Sequence, residues 1–266
     1  YFQKREIENP RLNAEHLLAH ALGCKRIELY LAFERELGEV ELAPLRDLVR
    51  RRAQGEPLQH LLGTVEFCGQ VFSCDRRALV PRPETEELVE HLLAMTWSAN
   101  ARIADVGTGS GVIALSVATR LPQAEMHATD LSAEALALAR ENAERLGLAG
   151  RVEFHEGSLL EPLDGTFDLI VANLPYVAIT DRSTLSREVL HDPETALFAG
   201  PTGEELIREL IGAAVPKLRP GGLLALEIGP GQAEALGTFL ADENYHDIAA
   251  IRDYGGLTRF LFARYG

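Results

Sequence analysis

From Arg11 to Ala53 apolar residues recur at steps of three and four: Leu12, Leu17, Leu18, Ala21 and Leu22, then Leu42, Leu45, Leu48 and Val49. That is the period of helices with one buried face. Gly23, Gly38, Pro44 and Gly55-Glu56-Pro57 divide the stretch into three or four short helices. The first starts at Asn9-Pro10, with Asn as the expected cap and Pro in the first turn. Between Gly63 and Asp75 the period changes. Val65, Phe67, Val71 and Phe72 flank Cys68-Gly69-Gln70, which reads as a hairpin or extended linker. In Val80-Pro81-Arg82-Pro83-Glu84-Thr85-Glu86 two prolines delay the next helix until Glu84, from where it runs to Met95. From Ala101 onward strands alternate with helices. Strands are expected at Arg102–Val106, Glu125–Asp130, Val152–His155, Asp168–Asn173 and Leu223–Ile228, with helices at Gly111–Arg120, Ala133–Leu146 and Glu204–Val215. A last pair of strands, Ile248–Arg252 and Arg259–Ala263, flanks Tyr254-Gly255-Gly256. Repeated βα units imply an α/β fold, a doubly wound and mostly parallel sheet with helices on both faces. The division is therefore a helical domain over 1–62, a hairpin linker over 63–78 and an α/β domain over 79–266.

Composition narrows the class. An apolar share of 46% and a charged share of 25% over 266 residues sustain a real core, which excludes a disordered tail, a fibre or a disulfide-stapled miniprotein. Apolar runs such as Leu223–Ile228 are strand-sized, far short of the roughly 20 residues that span a bilayer. No charged head followed by an apolar run opens the chain, so no secretory leader is expected. Cys24, Cys68 and Cys74 are an odd set without a CxxC pair, which points to reduced thiols and a cytoplasmic protein. The net charge of −14 is uneven: residues 1–60 carry 10 basic and 10 acidic side chains, and residues 61–266 carry 16 against 30. An acidic body gathers few phosphate contacts, so nucleic acid is not the expected direct substrate. The run Arg46, Arg50, Arg51 and Arg52 reads as a solvated helix face. His16 and His20 lack an HExxH context and read as ordinary helix histidines.

The first strand of the α/β region ends in Asp105-Val106-Gly107-Thr108-Gly109-Ser110-Gly111 and runs into a helix. Glycines there allow a sharp turn and close approach of a ligand to the main chain. Asp130 closes the second strand, where a carboxylate can accept both hydroxyl protons of a ribose. The spacing GxGxG differs from the nicotinamide GxGxxG, and Asp105 would repel a pyrophosphate while helping to hold a cationic amino-acid moiety. Together these favour S-adenosylmethionine over NAD.

The strand Asp168–Ala172 leads into Asn173-Leu174-Pro175-Tyr176, at the sheet edge where ligands collect in open α/β folds. The nitrogen of an amide or exocyclic amine is a poor nucleophile, because its lone pair is delocalised. The Asn173 side-chain oxygen and the Leu174 carbonyl are placed to accept its two N–H protons and aim the lone pair at a sulfonium methyl. Pro175 shapes the turn, and the Tyr176 ring covers the planar target. No Ser-His-Asp order, Cys-His pair or metal-ligand spacing appears, and His127, His155 and His191 read as structural.

On these residues the chain resembles the amino-methyltransferases of the class I, S-adenosylmethionine-dependent, Rossmann-like fold, and within them the peptide chain release factor glutamine N5-methyltransferase family. The finer likeness lies in Pro10-Arg11-Leu12-Asn13-Ala14-Glu15, Pro57-Leu58-Gln59-His60, Phe67-Cys68-Gly69-Gln70-Val71-Phe72 and Pro81-Arg82-Pro83-Glu84-Thr85-Glu86. It continues in Pro193-Glu194-Thr195-Ala196-Leu197, Leu218-Arg219-Pro220-Gly221-Gly222 and Glu227-Ile228-Gly229. The resemblance implies methyl transfer to the side-chain amide of the glutamine in a release factor's Gly-Gly-Gln loop, leaving S-adenosylhomocysteine, with the N-terminal helices docking the substrate protein. It implies that Asp105 and Gly107 to Gly111, through Thr108, Gly109 and Ser110, wrap the methionine part and that Asp130 meets the ribose. Ser158 and Leu159 would line the adenine, and Arg82 and Thr85 would lie near the methionine end. Asn173, Leu174, Pro175 and Tyr176 would hold the target amide, Asn173 also touching the cofactor. A monomer is expected. Two positions depart from the family pattern: Leu174 stands where Pro is usual, and Ser158 where Asp is common. Asn-Leu-Pro-Tyr is also the form found in ribosomal RNA adenine dimethyltransferases. An adenine-N6 methyltransferase acting on RNA or DNA is thus the alternative, opposed by the acidic body and by an aromatic share of only 6%. A nicotinamide oxidoreductase is opposed by the glycine spacing, and a noncatalytic cofactor-binding adaptor leaves the amide-holding turn without a role.

Overall fold

The computed structural model describes residues 1–266, and the change of period at Gly63 coincides with a change of architecture. Before it lie a single 3-10 turn and the helices α1 (Pro10–Leu22), α2 (Arg26–Leu31), α3 (Glu39–Ala53) and α4 (Leu58–Leu62). Phe2, Leu17, Ala53 and Leu61 bury together as their small core. α1 starts at Pro10, but Asn9 does not cap it. Its backbone is left-handed (φ 46°) and its side chain makes no cap hydrogen bond. The Asn13 amide instead donates to the Glu8 and Asn9 carbonyls at 2.9 and 3.3 Å. Pro10, at the first helical position, lacks the N–H that would otherwise be left unpaired there.

The arginine run divides. Arg46, Arg50 and Arg51 lie on the outer face of α3, paired with Glu39, Asp47 and Glu56. Arg52 departs from the expected solvated face: it is 3% exposed. It donates to Asn13 Oδ1 and Glu188 Oε2, each at 2.6 Å, and to the Glu56 carbonyl at 3.0 Å. Only a guanidinium offers enough donors in one plane for three such acceptors. Since Glu188 follows the fourth parallel strand, Arg52 ties the helical part to the α/β part. Arg52→Ala should cost about 1–3 kcal/mol by leaving these acceptors unpaired. Urea denaturation with an unmoved midpoint would contradict that.

β1 (Thr64–Phe67) and β2 (Gln70–Ser73) pair antiparallel across Cys68 and Gly69, both at positive φ (49° and 73°), as a two-residue hairpin requires. Then come α5 (Pro83–Leu93), β3 (Arg102–Val106), α6 (Val112–Arg120), β4 (Glu125–Asp130), α7 (Ala133–Arg145), β5 (Val152–Glu156) and β6 (Phe167–Asn173). The chain finishes with α8 (Glu205–Ala214), β7 (Leu218–Glu227), α9 (Ala233–Asp242), β8 (Tyr245–Arg252) and β9 (Thr258–Tyr265). The seven-stranded sheet has the order β5-β4-β3-β6-β7-β9-β8, parallel through β7 and antiparallel at β9 and β8. Side chains alternate across it. Ile103, Leu169, Val171 and Ala225 face a core with α5 and α6, while Ala104, Ile170, Ala172 and Leu226 face α8 and α9.

The helix α9 is not apparent from periodicity, since Leu236 and Leu240 are its only buried residues and Gly237 interrupts it. β7 and β8 also begin earlier than anticipated, at Leu218 and Tyr245. β3 and β6 are neighbours whose connections leave in opposite directions, which makes their carboxyl ends the switch point of the sheet. The glycine loop follows β3 and Asn173 ends β6, so topology alone brings both sequence motifs to one crevice. No helix is long and apolar enough to cross a membrane, and Cys24, Cys68 and Cys74 are free thiols.

Candidate active site

The glycine loop leaves β3 on a framework of main-chain hydrogen bonds. The Gly107 and Thr108 amides both donate to the Thr129 carbonyl at 2.9 Å, which holds the loop against β4. Gly107 (φ 71°) could carry no side chain there, for a Cβ would stand 2.7 Å from Leu174 Cδ2. Asp105 is fully buried beneath the loop. Its Oδ2 accepts the Thr108 hydroxyl at 2.6 Å and the Ala114 amide at 3.0 Å, while Oδ1 has no partner. Burial pushes this carboxyl up to about 7, and an orphaned acceptor of that kind suits a cationic group or a bound water.

Asp130 sits at the carboxyl end of β4. Its Oδ2 accepts the Gly109 amide and its Oδ1 the Ser132 amide, both at 2.8 Å. Burial raises its pKa, and these amides oppose the rise. Each carboxylate oxygen keeps a further lone pair, so two hydroxyl donors can still be accepted. After β5, Leu159 (φ 46°) accepts the Thr129 hydroxyl on its carbonyl at 2.8 Å. The neighbouring Ser158 hydroxyl meets no protein partner. Open glycine backbone, a buried acid with one unpartnered oxygen and a second acid at the neighbouring strand end are together a donor and acceptor set that fits S-adenosylmethionine.

On the β6 side the side chains form a chain of hydrogen bonds. Asn173 Nδ2 donates to Thr85 Oγ1 at 3.0 Å, and the Thr85 hydroxyl donates to Glu227 Oε2 at 2.7 Å. The Asn173 amide orientation is thereby set from behind, its nitrogen turned to Thr85 and its Oδ1 left without a protein donor. The Leu174 carbonyl likewise accepts nothing from the protein. Two adjacent acceptors are thus both free. Leu174 itself is buried, its side chain filling the space under Gly107 that the missing Cβ leaves. The Tyr176 ring lies against Gly229, where a Cβ would come within 3.1 Å of it. Gln232 locks this turn: its Nε2 donates to the Tyr176 carbonyl at 3.2 Å and the Gly203 carbonyl at 3.1 Å, and its Oε1 accepts the Gly229 amide at 2.8 Å.

Glu227 is 2% exposed, and burial pushes its carboxyl up to about 7, opposed by the Thr85 hydrogen bond and by Arg259. A carboxyl raised in this way favours the fold in its neutral form. Its contribution is full below the ordinary value of 4.5 and is lost as pH rises through about 7. Glu227→Gln should therefore raise Tm at about pH 8 and reduce the fall in Tm between about pH 5 and pH 8. Calorimetry showing an unchanged pH slope would refute this.

Arg82 and Thr85 both lie beside the crevice but are engaged with protein groups. Thr85 is occupied by Asn173 and Glu227. Arg82 Nη2 donates to Asp192 Oδ2 at 2.6 Å, and the other oxygen of that carboxylate takes the Val80 amide at 3.1 Å. Burial lifts Asp192 to about 6 against the pull of Arg82. Gln232, Asp192 and Asn142 escape a reading by motif, and Glu227 enters one only as part of the family likeness, without a role. Asn142 joins α7 to the site, its amide donating to the Ser110 carbonyl at 2.9 Å and its Oδ1 accepting the Ser73 amide at 2.6 Å. His127 and His155 from adjacent strands converge with Glu153, a grouping that no spacing along the chain displays.

Comparison with known proteins follows the same division. A family model described as PrmC N-terminal domain matches residues 1–63, and one described as Methyltransferase small domain matches residues 71–229. The chain is 43% identical to the release factor glutamine methyltransferase of Geobacter sulfurreducens, covering 100% of this chain and 93% of that protein. It is 45% identical to the protein of the same name from Deinococcus radiodurans, covering 97% and 92%. Among solved structures, the ribosomal protein L11 methylase from Lactobacillus delbrueckii subsp. bulgaricus superposes with a TM-score of 0.51 at 26% identity. That match covers 69% of this chain and 79% of the other.

Proposed function

The chain belongs to the family of release factor glutamine methyltransferases, and from that premise we propose that it methylates the side-chain amide nitrogen of the glutamine in a release factor's Gly-Gly-Gln loop. When bound, S-adenosylmethionine supplies an electrophilic methyl group on a sulfonium and leaves as S-adenosylhomocysteine. Everything else falls to the protein. Gly107 to Gly111 admit the methionine part close to the main chain, with Asp105 opposite its ammonium. Asp130 accepts the ribose hydroxyls, and Ser158 and Leu159 border the adenine. Arg82, tied to Asp192, and Thr85, tied to Glu227, brace the methionine end of the crevice.

The reading is carried by one observation: Asn173 Oδ1 and the Leu174 carbonyl are adjacent acceptors with no protein donor. An amide –NH₂ has two N–H groups to satisfy, and two acceptors at the rim answer that number. Held this way, the nitrogen lone pair points along the line of attack, and partial positive charge developing on nitrogen is met by two oxygen dipoles. The proton released from nitrogen passes from its hydrogen bond to Asn173 or Leu174 to solvent water at the rim, because neither amide oxygen is basic enough to keep it. Tyr176 covers the planar group, and its backing by Gly229 and Gln232 keeps the ring in place. Leu174 in place of the family's Pro leaves this chemistry intact, because the main-chain carbonyl does the accepting.

The proposed enzyme is a cytoplasmic monomer whose direct substrate is protein, with helices α1 to α4 docking the release factor. An adenine target would use the same two acceptors, but the names of the relatives and the acidic charge of residues 61–266 favour the protein substrate. The test is incubation with labelled methyl donor and a purified release factor, followed by mapping of the label. Label on the Gly-Gly-Gln glutamine supports the reading. Label on adenine in added RNA, with none on the factor, overturns it.

A further inference from the structure

Away from the crevice, on the face of the sheet that carries α8 and α9, the outer strands β4 and β5 bring three potential ligands together. His127 and Glu153 are direct partners in the parallel register, and His155 stands two residues beyond Glu153 on the same face. His127 Nδ1 lies 3.3 Å from His155 Nε2 and 3.6 Å from Glu153 Oε2, and the last two atoms are 3.7 Å apart. Zinc held at 2.0–2.2 Å by nitrogen and oxygen ligands has neighbouring ligand atoms roughly 3.3–3.6 Å apart in a tetrahedron. The three atoms already form a triangle of about that size.

The surroundings prepare the nitrogen for a metal. His127 Nε2 lies 2.8 Å from Glu125 Oε1. Arg102 Nη2, which only donates, lies 3.1 Å from the same nitrogen, and the shorter contact to the accepting carboxylate assigns the proton to Nε2, which directs the lone pair of Nδ1 into the cluster. A carboxylate behind a ligating imidazole is the usual way such a ring is oriented and made more basic. Arg102 shares that Glu125 oxygen at 2.8 Å and lies over the Phe167 ring, so its charge is compensated on the side away from the ligands. Phe167 packs edge-on against His127, which holds the ring from a third direction. His127 is buried, His155 partly so and Glu153 exposed, which leaves one side open to water.

We propose that His127 Nδ1, His155 Nε2 and Glu153 Oε2 form a site for a zinc-class divalent cation, with water completing a tetrahedron. The bound ion clasps the edge strand β5 to β4, on the strand that ends three residues later in Asp130. Without a metal the same groups make a stacked histidine pair with a hydrogen bond between the rings.

The experiment uses the full chain, free of any polyhistidine tag and stripped with chelator, titrated with Co²⁺ alone and followed by visible absorption. One equivalent should produce the d–d bands of a four-coordinate ion without a sulfur charge-transfer band, and Zn²⁺ should abolish them. His155→Gln and Glu153→Gln should each weaken binding by more than about tenfold, and Glu125→Gln by about ten- to a hundredfold as the group behind the ligand. Both ligand variants should keep the Tm of the metal-free protein while losing the rise in Tm that Zn²⁺ gives the unsubstituted chain. Absence of saturable binding, a thiolate band, or binding unaltered by both ligand substitutions would overturn the site.

Discussion

Asn173→Ala should lower kcat by about 10²–10³-fold, the loss typical of deleting one preorganised polar group at a reacting centre. The same substitution should leave S-adenosylmethionine affinity within about fivefold, since the acceptor acts mainly on the nucleophile. The expectation follows from how Asn173 is held. Thr85, itself held by Glu227, accepts from its nitrogen from behind, so the free oxygen has one direction in which to act, and alanine removes it without unsettling the Leu174 carbonyl next to it. Steady-state rates with a release factor substrate, together with calorimetric binding of the cofactor, separate the two effects. Unaltered turnover would remove the side chain from the mechanism. A parallel collapse of cofactor binding would make it part of the cofactor pocket alone.

Asp130→Ala should give the opposite signature. The carboxylate accepts the Gly109 and Ser132 amides and, in the proposed complex, the ribose hydroxyls. Hydrogen bonds to charged groups are worth about 1.5–3 kcal/mol, so cofactor affinity should fall by roughly ten- to a hundredfold. Turnover at saturating cofactor should suffer much less, because nothing near the nitrogen has changed. Equilibrium binding checks the first statement and kcat the second. An unchanged dissociation constant would reject the ribose role.

The two signatures separate because the site is assembled from two strand ends, and those ends are the part most legible in the sequence. Glycine spacing after Val106 and the turn residues after Ala172 are local signals, and alternating strands and helices place them at one switch point. The residues that steady them are not local. Thr85 and Glu227 are 142 positions apart and Gln232 lies 56 from Tyr176, so no periodicity reports their contacts; the register of the sheet and the placement of α5 create them. Arg52 was hidden by its company. Among four arginines on one helix, only a turn of the helix distinguishes the inward-facing one from its solvated neighbours. α9 escaped because two buried leucines and a glycine make too faint a pattern. The grouping of His127, Glu153 and His155 depends on strands pairing side by side, which one-dimensional spacing cannot express.

The central claim is that a planar nitrogen is held by two oxygen acceptors at the rim of the sheet. Its most direct measurement is a crystal structure with S-adenosylhomocysteine and a peptide carrying the Gly-Gly-Gln loop. The account predicts the glutamine amide nitrogen within hydrogen-bonding distance of both Asn173 Oδ1 and the Leu174 carbonyl, facing the cofactor sulfur. A glutamine seated elsewhere, with those two oxygens still facing only solvent, would contradict it.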